Sequence, residues 1–287
     1  VSLLKLDRLK QKITGIFVND SSPEELPKRR AKHQCFRHSD IFLVSYPKSG
    51  NTWMRFLIAN LTKPSDLVSF ENINKIIPDL YKTSTQELQE LSDPRIIKSH
   101  ECFDTRYKKV IYIVRNPYSV SVSLYHHLIK YKRISQELEF KEFLQDFLQG
   151  FRETTISEWY RNLGSWSENV TSWLDSEDYA SGDFLLIRYE DLMLDPLQEM
   201  SKVNRFLSKG ADDVQIQEAI QKSNFKSMKN IENKQKNVGM LAETNSNIPF
   251  IRSGNLDEWE QYFDKESINL VNVKFGKVMK RLDYETY

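Results

Sequence analysis

FLVSYPKSGNTWMRFLIANL, residues 42–61, changes period halfway along. A short apolar run breaks at Pro47-Lys48-Ser49-Gly50, and beyond the break apolar residues return at helical spacing as Trp53, Phe56, Leu57 and Leu61. A strand that runs through a glycine-containing turn into a helix leaves several backbone N–H groups unpaired and aimed at one spot, where the helix dipole adds positive potential. Such a turn is an anion cradle. Lys48 adds a mobile positive charge to it, and Ser49, Asn51 and Thr52 add short side-chain donors. Phosphate is the expected guest. The stretch is neither GxGxxG nor the nucleotide-triphosphatase loop GxxxxGK[ST], in which the lysine follows the second glycine, because Lys48 precedes the only glycine of the turn.

Working outward, IFLVSY (41–46), RIIKS (95–99), VIYIVR (110–115) and FLLIRY (184–189) read as buried strands. Continuous apolar runs of this kind suit a parallel sheet covered on both faces. Helical patterns lie between them: Phe140/Phe143/Leu144/Phe147/Leu148, then Leu163/Trp166/Val170/Trp173/Leu174, then a helix from Asp195-Pro196 through Leu207 opened by a capping residue and a proline. This alternation predicts an α/β fold with a central, mostly parallel sheet flanked by helices. No repeat, compositional boundary or linker appears, so residues 1–287 are expected to form a single domain. The polar, aperiodic stretch NIENKQKNVGMLAETNSNIP (230–249) is long for a plain loop and is expected to be a flexible lid.

Composition narrows the partners. Lys and Arg number 41 against 40 Asp and Glu, a net charge of +1, so no overall positive field points to nucleic acid or an anionic membrane surface. No stretch reaches the length of a membrane span, and the opening VSLLKLDRLKQK is too charged for a signal-peptide core. Two cysteines, Cys35 and Cys102, make no disulfide framework and suit a reducing compartment, so a cytoplasmic location is expected. The chain begins at Val1 instead of Met, which keeps open a domain cut from a longer polypeptide. His33, Cys35 and His38 have a superficially metal-like spacing, but no second cluster completes four ligands and no metal is expected.

A second anion-binding pattern supports the first. The strand VIYIVR ends in Arg115-Asn116-Pro117 and is followed by SVSVSLYHH, placing a guanidinium fork and a serine-rich helix start where ligands of open α/β sheets bind. Together, SYPKSGNTW and YIVRNPYSVSVSLYHH resemble the two phosphosulfate-binding segments of the cytosolic-type sulfotransferase family, which uses 3′-phosphoadenosine 5′-phosphosulfate (PAPS) and releases adenosine 3′,5′-bisphosphate (PAP). Three more segments match in the family's order: IKSH (97–100), IRYEDL (187–192) and FIRSGNLDEW (250–259). The resemblance spans roughly residues 40 to 260.

The resemblance implies a role for each matching residue. Lys48, with the backbone of Ser49, Gly50, Asn51 and Thr52, would hold the 5′-phosphosulfate, and Trp53 would stack on adenine. Arg115 and Ser123 fall on the 3′-phosphate ligands, and Tyr189, Ser223 and Phe225 on positions around the adenosine. His100 would be the base that takes the acceptor's proton, a task suited to neutral imidazole, with Lys98 two residues earlier on the same strand face. Lys48, Lys98 and Ser123 would support the transfer.

The family's late Arg-Lys-Gly element reads Arg252-Ser253-Gly254 here, so one cation is missing unless Lys234 or Lys236 supplies it. His126 and His127 are expected on the acceptor side or the surface. Residues 62–95 and 126–160 are expected to shape the acceptor pocket, for a hydroxyl or amine on a small molecule or on a carrier protein. A nucleotide-dependent kinase is the alternative enzyme, disfavoured by the missing GxxxxGK[ST]; a nucleotide-binding module without catalysis is disfavoured by the presence of both Lys48 and His100.

Overall fold

The computed structural model describes residues 35–152, 154, 156, 158–176, 182–236, 241, 244–245, 247–252 and 254–287. Four strands form one sheet: β1 (Ile41–Ser45), β2 (Ile96–Ser99), β3 (Lys109–Val114) and β4 (Phe184–Arg188). All pair in parallel, in the order β2-β1-β3-β4. Registers such as Leu43 opposite Lys98, Val44 opposite Tyr112 and Val114 opposite Arg188 bring the carboxyl ends of the strands to one rim.

Alternation along the strands explains why both faces are dry. Phe42, Val44, Val110 and Tyr112 turn to one core with Phe147, Trp166, Trp173 and Phe275. Ile41, Leu43, Ile111 and Ile113 turn to the other with Phe56, Ile58, Met200 and Val203. The helices that supply these layers and the site are α1 (Asn51–Thr62), α2 (Pro117–Lys130), α3 (Phe140–Leu148), α4 (Trp166–Leu174), α5 (Tyr189–Leu194), α6 (Pro196–Phe206), α7 (Asp213–Lys222), α8 (Phe225–Lys234) and α9 (Lys265–Arg281). On the second face α1 packs on α7, and on the first α9 packs on α2, α3 and α4.

The element starts follow local chemistry. Asp195 caps α6 by accepting from Gln198 N–H, with Pro196 in the first turn, and the helix stops one residue short of the expected Leu207. Asn116 caps α2 through Tyr118 N–H at 3.0 Å, again with a proline at the start. Leu163 falls ahead of α4, which begins after the capping box of Ser165 and Glu168.

The stretch 230–249 differs from the expected aperiodic lid. Residues 230–234 are the second half of α8, a helix capped by Asn224, with Met228 and Glu232 turned inward. Residues 237–240, 242, 243 and 246 lie outside the described residues. Of the remainder, Leu241 is buried, and Asn245 and Ile248 offer their carbonyls to Lys130 Nζ at 3.1 and 2.6 Å. His33 of the metal-like spacing also lies outside the described residues, and among those described no three His, Cys, Asp or Glu side chains gather as a metal site. Cys35 and Cys102 are free thiols, and no described helix is long and apolar enough to cross a membrane.

Candidate active site

Each strand hands a functional residue to the rim immediately beyond its end: the Pro47–Gly50 turn after β1, His100 after β2, Arg115 after β3 and Tyr189 after β4. The chain leaves β1 for β2 on one side and β3 on the other, so the rim above β1 is the point where the sheet changes direction and a ligand crevice opens.

The turn after β1 takes the form its sequence demands. Gly50 has φ 100°, a left-handed conformation that costs an L side chain about 1–2 kcal/mol, and a Cβ there would sit 2.4 Å from Tyr189 Cδ2. The ladder of α1 starts with Met54 N–H donating to Gly50 O at 3.1 Å, which leaves the N–H groups of Gly50, Asn51, Thr52 and Trp53 ahead of it. Ser49 N–H instead donates back to Tyr46 O at 3.3 Å, moving the cradle one residue further along than the sequence suggests. The Asn51 side chain is also not the expected ligand donor: its Nδ2 turns into the protein and donates to Leu43 O and Ser45 Oγ, both at 3.2 Å, tying the helix start to β1.

Cations crowd the cleft. Lys48, Ser123, His126, His127, Lys130 and Arg252 line it, with Phe250 covering Lys48 Nζ at 4.7 Å from the ring centre. Lys48 Nζ also lies 3.4 Å from His127 Nδ1. Burial, then the charges of Arg252, Arg115, Lys98 and Lys130, lower the Lys48 pKa to about 7. Burial and Lys48 likewise hold the imidazole of His127 well below its usual range. Arg115 stacks on the face of Tyr189 at 4.1 Å and reaches Lys48 O at 3.5 Å, and its Nε is buried without a partner, as are Ser49 Oγ and Asn51 Oδ1. Arg252 Nη1 is 3.0 Å from Glu258 Oε1, an ion pair by distance that lacks hydrogen-bond alignment. Mutually repelling cations, unspent N–H groups and the unpartnered buried donors Arg115 Nε and Ser49 Oγ are the features of a site completed by a polyanion, and they fit PAPS.

The adenosine-side residues form a second group. Trp53 packs edge-on to Tyr189 at 5.7 Å and donates its indole N–H to Ser223 O at 2.9 Å. Ser223 Oγ accepts from Asn60 Nδ2 at 3.0 Å, so this buried residue acts on the site by holding Trp53. Phe225, at the start of α8, is 44% exposed and lies against Gly254, where a Cβ would be 3.0 Å from its ring. Ser253 lies outside the described residues.

On the opposite side of the turn, His100 is 7% exposed. Its Nδ1 lies 2.7 Å from Ser45 O, and since a carbonyl only accepts, Nδ1 carries the proton and Nε2 keeps a lone pair. Burial, then Lys98, lowers its pKa to about 3, so the ring is neutral at physiological pH. Tyr81 stacks parallel to it at 6.1 Å, and Trp159 meets it edge-on at 5.8 Å, one aromatic from each of the two segments expected to shape the acceptor pocket. Lys98 Nζ donates to Asp79 Oδ2 at 2.8 Å.

His126 and His127 line the cleft beside Lys48 and Ser123 and are not on the open surface. Ser123, His126, His127 and Lys130 follow i, i+3, i+4, i+7, one face of α2, and that spacing was readable. Lys130 lines the cleft with Ser123 and Arg252 while its Nζ donates to Asn245 O and Ile248 O; Lys234 and Lys236 are exposed and are not among the lining residues.

A parallel α/β sheet with a phosphate-type turn after its central strand and a cation-lined cleft beyond it is the arrangement of a nucleotide-binding α/β protein. The sulfotransferase domain family matches residues 38–283, and the chain belongs to that family, whose reaction is sulfuryl transfer from PAPS. It is similar to 3-beta-hydroxysteroid sulfotransferase of Cavia porcellus, 31% identical over 255 residues covering 84% of each chain. It is also similar to sulfotransferase 1B1 of Canis lupus familiaris, 26% identical over 264 residues, 85% of this chain and 83% of the relative. Among solved structures, mouse sulfotransferase SULT7A1 complexed with PAP superposes with a TM-score of 0.70 at 26% identity, covering 94% of this chain and 97% of that one. Retinol dehydratase shares the fold, with a TM-score of 0.69 at 21% identity over 91% of this chain and 86% of that one.

Proposed function

We propose that this sulfotransferase uses His100 as the general base on a hydroxyl or amine acceptor. The observation that carries the reading is the 2.7 Å contact from His100 Nδ1 to Ser45 O: it fixes the tautomer and leaves Nε2 free to accept the acceptor's proton. PAPS, when bound, supplies the sulfuryl group and leaves as PAP. Lys48 and the N–H groups of Gly50, Asn51, Thr52 and Trp53 hold the 5′-phosphosulfate, and the Lys48 ammonium opposes the charge that gathers on the leaving phosphate oxygen. By the family resemblance Arg115, Ser123, Arg252 and Gly254 belong to the 3′-phosphate side, and Lys130 lies in the same cleft as Ser123 and Arg252. Trp53, Phe225 and Tyr189 frame the base, and Ser223 anchors Trp53.

We read residues 1–287 as one sulfotransferase domain with its motif-bearing core at about 40–260, no metal in the reaction and a cytoplasmic location. The acceptor is a small molecule or a group presented on a carrier protein, met by the aromatic pair Tyr81 and Trp159 beside His100. The test is turnover of His100→Gln with labelled PAPS across an acceptor panel. We expect a loss of roughly 10²–10⁴-fold with PAP affinity within a few-fold of wild type. Because the His100 pKa is already lowered to about 3, the wild-type rate should have no His100 inflection near pH 6.5. Near-normal turnover of the variant removes His100 from the mechanism.

A further inference from the structure

We propose that Asp79 is a positioning residue for the sulfuryl transfer: it holds Lys98 charged and aimed beside His100. This rests on the reading of His100 as the base. Asp79 lies in the segment between α1 and β2, which carries no recognisable motif, yet its side chain is only 8% exposed and that of Lys98 12%. Their 2.8 Å ion pair is reinforced by the backbone. Lys98 N–H donates to Pro78 O at 2.8 Å and Leu80 N–H to Lys98 O at 3.0 Å, so residues 78–80 bridge in parallel to the outer edge of β2. The Lys98 ammonium cannot leave the pair without exposing a buried carboxylate.

Asp79 also governs the other flank of His100. Its Oδ1 accepts from Tyr81 N–H at 3.1 Å. Tyr81 then lays its ring parallel to His100, takes the His100 backbone N–H on its hydroxyl oxygen at 3.0 Å, donates that hydroxyl to Glu101 Oε1 at 3.1 Å, and offers its face to Lys98 Nζ at 5.4 Å. One carboxylate thus fixes both the lysine and the aromatic wall around the base.

The charges facing Lys98 make the pair necessary. Burial disfavours its charged form, and Arg55 from α1, Lys82 and Lys48 beyond β1 repel it, so its pKa is already below that of a free lysine. Asp79 is the opposing charge: burial would raise its own pKa, but Lys98 and Arg55 outweigh that and keep it ionised, with His100 a smaller contributor. Without the carboxylate, Lys98 faces Arg55 and Lys82 uncompensated and its pKa falls further. Each pKa unit by which it falls below the assay pH leaves roughly tenfold less cation.

The test uses Asp79→Asn in the full chain, since asparagine keeps an oxygen for Tyr81 N–H while losing the charge. We expect kcat of Asp79→Asn to fall as pH rises, by up to roughly tenfold per pH unit once Lys98 loses its proton and beginning at lower pH than in the wild type, with Asp79→Glu restoring the wild-type pH profile. Adding Asp79→Asn to Lys98→Met should cost no further activity. If Asp79→Asn does not fold alone, Asp79→Asn/Lys98→Met, in which asparagine still offers Tyr81 N–H an oxygen, carries the test by itself and should match Lys98→Met. A wild-type pH profile in Asp79→Asn, or a double variant slower than Lys98→Met, overturns the proposal. His100→Gln run alongside separates the two readings: a silent His100→Gln defeats the base assignment, whereas a silent Asp79→Asn with a crippled His100→Gln defeats only the role of Asp79.

Discussion

Binding of PAP above neutral pH should draw a proton from solvent onto Lys48. In the ligand-free protein the pKa of this lysine is lowered to about 7 by burial and then by Arg252, Arg115, Lys98 and Lys130, so at pH 8 about nine-tenths of it is uncharged. A phosphate brought to the cradle supplies the opposite charge and returns the ammonium form to favour. The expected uptake is about 0.9 proton at pH 8, about 0.5 at pH 7 and about 0.1 at pH 6, provided the bound pKa exceeds about 9. Affinity should then weaken by up to about tenfold per unit as pH rises above 7, and be insensitive to this group below it.

Isothermal titration of PAP at pH 8 in two buffers of different ionisation enthalpy reads the uptake directly. At that pH the second ionisation of a phosphate monoester, near pH 6, is complete, so the ligand contributes little. His127, 3.4 Å from Lys48 Nζ and held neutral by burial, is the competing proton acceptor. Uptake should therefore persist in His127→Gln and vanish in Lys48→Met. An observed enthalpy independent of buffer in the wild type, or uptake retained in Lys48→Met, refutes the argument.

Arg115→Ala should weaken PAP by roughly 10- to 150-fold, the loss of a charge-assisted contact worth about 1.5–3 kcal/mol, while barely changing the affinity for adenosine 5′-phosphosulfate, which has no 3′-phosphate; equilibrium binding of both ligands decides it. Gly50→Ala should weaken PAP at least roughly tenfold by forcing a left-handed alanine and pushing its Cβ into the Tyr189 ring, and the displaced Tyr189 and Trp53 would register as a changed tryptophan emission.

Much of the fold was legible because its strands are unusually explicit. Ile41–Ser45 and Lys109–Val114 lie inside a sheet covered on both faces, so nearly every residue is apolar and the runs stand out against the polar turns. The turn chemistry was legible for a related reason: Pro47 and Pro117 restrict backbone geometry and Gly50 permits a left-handed φ, all locally and without tertiary help. Long-range consequences were not. Asp79 reads as an ordinary loop acid until the chain folds β2 against it, and Asn51 reads as a ligand donor until Leu43 O and Ser45 Oγ claim it. The polar face of α2 follows helical spacing, yet a run of Ser, His and Lys on a helix is ordinarily a solvated surface, and only the docking of Phe250 and Arg252 turns it into a wall of the cleft. The start of the expected lid was set inside a helix because polar composition at 230–234 outweighed the Phe225/Met228/Ile231 spacing.

The same crowding that equips the cleft for a polyanion should cost the ligand-free protein stability. Lys48 sits beside Arg115 and Arg252 in a partly desolvated turn, and its lowered pKa means that the unfolded chain holds the proton more tightly than the folded one between about pH 7 and 10.5. Stability from this group therefore rises with pH across that window, and the penalty is fully present below pH 7, where both states are charged. Lys48→Met removes the penalty while keeping an unbranched side chain of similar length under Phe250, which now covers the Lys48 ammonium. The ligand-free variant should melt higher than wild type by about 2 °C or more at pH 6.5, and the gain should shrink toward pH 9.5. With saturating PAP the order should reverse, because only the wild type then gains the ammonium–phosphate contact on top of ligand linkage. A Lys48→Met protein that melts lower than wild type without ligand at pH 6.5 would mean that the lysine already has a compensating partner in the empty site, and the picture of a cleft held under charge repulsion until the nucleotide arrives would fail.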